Sequence, residues 1–188
     1  MNKNKEIKFY KEWLPLPKDQ FRILFHLARF GSFSGNLSDL CRYFSLNPQT
    51  KNRNNVRNAI DALTASGMID CAKDGRTYNL KLIPKEKEIH LPCAWVDALT
   101  GKPLSASISS EALIKVFLWL LDNGTAVFTN ADLAAALNIS TTTIVIAKKV
   151  LAEDFEAIIR EYVTTKVEEG VYRREGQIVN VSAWLKEN

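Results

Sequence analysis

Apolar residues recur at helical spacing three times in the first half of the chain. Phe21, Ile23, Leu24, Leu27, Ala28 and Phe30 predict a helix from Lys18 to a stop at Gly31. Leu37, Leu40, Cys41 and Phe44 predict a short second helix. Ser45-Leu46-Asn47-Pro48 breaks it, because Pro48 bars Asn47 from helical conformations. Val56, Ala59, Ile60 and Leu63, spaced i, i+3, i+4, i+7, predict a third helix closed by Gly67. Beyond Gly67 the pattern becomes that of strands. Residues 68–72 and 77–83 flank Lys73-Asp74-Gly75-Arg76, and Asp-Gly between such runs predicts a hairpin. Pro84 closes a first domain, 1–84, with a basic N-terminal lead-in: Lys3, Lys5, Lys8 and Lys11 precede Trp13 and Leu16, and two prolines predict that it is extended.

The second domain, 85–188, opens with the mixed-charge link Lys85-Glu86-Lys87-Glu88. An apolar segment through Trp95 and a turn at Thr100-Gly101-Lys102-Pro103 follow. Residues 111–122 are apolar on nearly every face, which predicts a helix buried all round and a second domain that self-associates. The order of the first half then returns. A capped helix spans 129–137, Asn138-Ile139-Ser140 turns the chain, and a helix runs from Thr141 to about Glu153 with Ile144, Ala147 and Leu151 inward. Two β-branched runs, 162–168 and 171–181, are separated by Gly170.

The third helix of the first domain carries the chemistry. Opposite its apolar stripe fall Thr50, Lys51, Asn54, Arg57, Asn58 and Asp61, and the stretch from Gln49 to Asn58 contains no acid. Asparagine is a mediocre helix former, so helix stability does not explain its density here. Amide side chains pair with adenine edges, and arginine or lysine pairs with guanine edges or phosphates. Lys51, Asn54, Arg57 and Asn58 are therefore expected in a major groove, with Thr50 beside them. Arg53 and the hairpin-tip Lys73 and Arg76 are expected on phosphates or in the minor groove. The bland alternative is a solvated surface helix, though such helices are usually richer in Glu. The matching helix of the second domain instead shows Thr142, Val145, Ile146 and Lys149 outward, which favours a protein contact over the alternative of an auxiliary DNA contact to thymine methyls.

Charge follows the same division. Residues 1–100 carry 16 Lys+Arg against 10 Asp+Glu, and residues 101–188 carry 9 against 11. The basic half suits a nucleic-acid partner. Two histidines and no clustered acids predict no enzyme, no metal and no cofactor. No small-molecule ligand is evident. Cys41, Cys71 and Cys93 are odd in number and sit in apolar contexts, as reduced core residues of a cytoplasmic protein would. No apolar run is long enough for a membrane span.

Three helices followed by a basic-tipped hairpin resemble the winged-helix superfamily of DNA-binding domains. The fold class expected is mainly α with small β-hairpin wings (α+β), as two tandem winged helix-turn-helix domains. Such a pair, with Glu88-Ile89-His90-Leu91-Pro92-Cys93-Ala94-Trp95 opening the second domain, also looks like the replication initiators of bacterial plasmids and mobile elements. The resemblance implies origin (iteron-type) DNA as the ligand, and a transcription regulator fits equally well; the apolar helix at 111–122 makes a homodimer on double-stranded DNA the expected assembly. A tandem winged-helix scaffold that binds protein, as chromosome-segregation accessory proteins do, is the rival, and the basic first half argues against it.

Overall fold

The computed structural model describes residues 6–101, 104–123, 126–169 and 171–181. The expected turn residues Lys102 and Pro103, and Gly170, lie outside them. The chain is of mixed α and β structure and forms two compact units, Glu6–His90 and a second that takes in the chain from Leu91 onward. Among the described residues no single helix is long and apolar enough to cross a membrane.

The first unit starts with β1 (Glu6–Tyr10) and a 3-10 turn ending at Trp13. Phe9 and Trp13 are fully buried, their rings 6.2 Å apart. Helix α1 (Lys18–Phe30) buries Phe21, Leu24 and Leu27 and ends at Gly31, whose φ of +85° suits a residue without a Cβ. A short strand, β2 (Ser32–Gly35), leads into α2 (Leu37–Tyr43). Asn36 and Asp39 close a capping box on α2: Asn36 Oδ1 accepts from the Asp39 N–H, and Asp39 Oδ2 accepts from the Asn36 N–H. Helix α3 (Thr50–Ala65) buries Val56, Ala59, Ile60 and Leu63, the stripe that its spacing predicts. It ends in the hydrogen bond from the Met68 N–H to the Leu63 carbonyl, with Gly67 at φ +64°.

Strands β3 (Ile69–Asp74) and β4 (Thr77–Leu82) form the hairpin. The two-residue turn is Gly75-Arg76, with Gly75 at φ +56°, the place where a II′ turn requires glycine. β2 pairs with β4 to give an antiparallel sheet of order β2-β4-β3. β2 is absent from the sequence expectation, because Ser-Phe-Ser-Gly is too short and too polar to read as a strand.

The first unit does not stop at Pro84. The segment beyond it returns as β5 (Glu88–Pro92), which pairs with β1, so the expected boundary of 84 moves to His90. Lys8 meets Glu88 at 3.0 Å and Glu6 meets His90 at 2.9 Å, so the two strands run in opposite directions. Within the lead-in, Glu6–Tyr10 is thus an edge strand.

The second unit contains α4 (Cys93–Gly101), α5 (Ser110–Asn123), α6 (Asn130–Leu137), α7 (Thr141–Glu153), β6 (Ile159–Glu168) and β7 (Val171–Asn180). Thr100 and Gly101 belong to α4 and not to a turn; Thr100 Oγ1 donates to the Val96 carbonyl at 2.7 Å. α6 and α7 cross at 104° around Asn138, which takes the left-handed conformation. Phe128 and Gln177 exchange both backbone hydrogen bonds, at 3.0 and 2.9 Å. A chain position before the short helix thereby pairs with the last strand, as β2 pairs with β4 in the first unit. The order of elements and the strand pairing therefore repeat between the units.

α5 is apolar on most of its faces because most of it is buried. Leu113 to Leu118 are at most 2% exposed, and the helix packs on α4, α6 and α7. Glu111, Ala112 and Trp119, on one side of it, are half-buried and Asp122 is exposed. Ile146, expected outward on α7, is half-buried; Val145 is the aliphatic residue that α7 exposes.

Candidate nucleic-acid interface

The start of α2, one flank of α3 and the tip of the β3–β4 hairpin enclose a cleft of about 570 Å³ in the first unit. α3 reaches it because the 44–49 turn redirects the chain after α2. Asn52 fixes that turn, its Nδ2 donating to the Asn47 carbonyl at 2.8 Å. The hairpin reaches it because the tight Gly75-Arg76 turn lets both strands run to the tip.

Five cations line the cleft: Arg42 from α2, Arg53 and Arg57 from α3, and Lys73 and Arg76 from the hairpin. No carboxylate is among its lining residues. Asp39, outside the lining, holds Arg42 Nη1 at 3.0 Å while it caps α2. Lys73 Nζ lies 5.3 Å from the centre of the Tyr78 ring, so the aromatic face steadies the ammonium without neutralising it. Like charges gathered in a concavity repel one another and raise the local concentration of anions. The polar remainder, Asn36, Ser38, Thr50 and Asn54, can donate hydrogen bonds to phosphate oxygens.

Six residues expected at the site from sequence are therefore brought together: Thr50, Arg53, Asn54, Arg57, Lys73 and Arg76. Lys51 and Asn58 are exposed on α3 but lie outside the cleft. Arg42, Asn36, Ser38 and Tyr78 line it without having been anticipated. The Asn36-to-Asp39 spacing is a capping signature that could have placed the start of α2. Arg42 was hidden because α2 announces itself only by its apolar positions.

The second unit is built differently at the equivalent place. α7 exposes Thr141, Thr142, Val145 and Lys149, and Lys149 is paired with Glu153 at 3.7 Å. Lys148 is buried against Asn130, and Gln177 Nε2 donates to the same Asn130 oxygen at 2.9 Å. Among the described residues no group of three or more His, Cys, Asp or Glu side chains is arranged to hold a metal ion. No protein-family model matches the sequence, and a search of the curated proteins finds no similar one.

Proposed function

We propose that the chain is a sequence-specific double-stranded DNA-binding protein made of two tandem winged-helix domains. α3 enters the major groove and the β3–β4 hairpin lies on the adjoining backbone. The observation that carries this reading is the cleft with five cations from three separate elements and no acid in its lining. The repeated element order, with α6 and α7 crossing at 104°, supports the tandem arrangement. Control of transcription and initiation of replication on a plasmid or mobile element are the two uses that fit.

The second unit is assigned to protein contact, including self-association, on its exposed apolar residues. These are Val127 ahead of α6, Val145 on α7 and Ile159, Tyr162 and Val167 on β6, each about half exposed.

Titrating the full chain against random-sequence duplex at several salt concentrations tests the DNA reading. If all five cleft cations meet phosphates, log K falls linearly with log salt at a slope of about −4.5. Absence of binding at low salt, or affinity indifferent to salt, removes the proposal.

A further inference from the structure

The outward face of α3 has two flanks of different chemistry. Thr50, Arg53, Asn54 and Arg57, spaced i, i+3, i+4, i+7, face the cleft. Lys51, Asn55, Asn58 and Ala62, spaced i, i+4, i+7, i+11, are exposed on the flank turned away from it. The first flank pools charge in a concavity with the hairpin. The second flank is a line of amides with a lysine at its start, and no acid lies on it.

These amides have no structural employment. Asn52, half-buried, serves the turn before α3. Asn55 and Asn58 make no side-chain hydrogen bond among the described residues. An exposed asparagine with no partner lowers helix propensity relative to alanine and returns nothing to the fold.

Resting on the DNA-binding reading, we infer that α3 separates holding from reading by flank. Arg53 and Arg57 hold backbone phosphate in the cleft. Asn55, at the centre of the outer line with Lys51 and Asn58, contacts base edges and is a specificity-determining residue. Geometry supports the division. A duplex strand that passes between a helix and a hairpin presents its sugar-phosphate edge to the gap, so cations in the gap meet phosphates. Base edges lie deeper in the groove, under the part of the helix turned from the hairpin. A bidentate asparagine there distinguishes adenine from the other bases. Arg57, which spacing alone places among base readers, therefore belongs with the hairpin cations.

The test is selection of bound duplexes from a random pool by the full-length chain, its N55A variant and its R57A variant, followed by salt titration on the selected and on random DNA. Neither substitution threatens folding, since both sites are exposed and alanine is the better helix former. N55A should recover a motif that has lost preference at one base pair, with the ratio of selected to random affinity down roughly tenfold or more. R57A should recover the unaltered motif, bind both DNAs more weakly, and lower the salt slope by about one. An altered motif with R57A, or an unaltered one with N55A, overturns the division by flank while leaving DNA binding intact. Recovery of no motif by the unsubstituted chain also overturns it. Failure of the chain to bind any duplex removes the DNA reading and this inference together.

Discussion

At the scale of single residues, the two histidines act on stability with opposite sign. His26 is buried among Phe30, Phe33, Tyr43 and Phe44, with its ring centre 4.0 Å from that of Tyr43, and its Nδ1 has no hydrogen-bond partner. Burial, helped by the nearby Arg29 charge, pushes its pKa down from 6.5 to about 4. A lowered histidine pKa means that the unfolded chain takes up the proton first. Stability is therefore full above pH 6.5 and falls as the pH drops towards 4. By pH 5 the loss should be about 2 kcal/mol. Denaturant unfolding at pH 7 and pH 5 measures it, and H26F should abolish this component of the slope. His90 is the reverse. Hydrogen bonds to Glu6 and then Glu88 raise its pKa, so its contribution is complete below 6.5 and is lost as the pH rises through the raised value. H90A should accordingly lower the melting temperature more at pH 5.5 than at pH 8, by a small amount, because the network is exposed.

At the scale of elements, the hairpins depend on close approach. A Cβ on Gly176 would stand 2.8 Å from Val127 Cγ1 and 2.9 Å from the Phe128 carbonyl oxygen. G176A should destabilise the second unit by about 1–3 kcal/mol, seen as a lowered unfolding midpoint. The long periodic elements were legible in the sequence: α1, α3 and α7 run where their apolar spacing puts them, and the β3–β4 hairpin forms around the Asp-Gly pair, with its two-residue turn one residue further on at Gly75-Arg76. What escaped was non-local. β1 and β5 become strands only by meeting each other, and Ser32–Gly35 is a strand only because β4 lies beside it. Lys148 and Gln177 are charged and polar by composition yet almost fully buried, because Asn130 accepts hydrogen bonds from both. The cleft was legible in its α3 and hairpin parts and hidden in its α2 part. Asn36 and Arg42 enter it through the way α2 packs on α3, which local pattern does not encode.

At the scale of the whole molecule, charge is divided unevenly along the chain. Residues 1–100 hold the excess of cations, while exposed large apolar side chains occur in both units, Phe30, Tyr43 and Ile83 in the first and Val127, Val145, Ile159, Tyr162 and Val167 in the second. On the DNA-binding reading, truncating the outward polar side chains of α7 should cost nothing, whereas removing cations from the cleft should cost a good deal. T142A and K149A should leave affinity for random duplex unchanged. R53A should weaken it and lower the salt slope by about one. Fluorescence anisotropy on one labelled duplex reads all three. V145K should loosen any self-association in sedimentation without altering affinity for DNA per protomer.

The pairing of β1 with β5 has a consequence for protein construction. Where the chain enters the first unit at Glu6 it is hydrogen-bonded to where it leaves at His90. The unit is a cassette whose two splice points sit one strand spacing apart, about 5 Å. Grafted as residues 6–90 into a surface loop of an unrelated host enzyme, it asks the host to open a gap no wider than that. Such a chimaera is expected to keep the host's catalytic rate and to gain salt-sensitive retention on immobilised duplex.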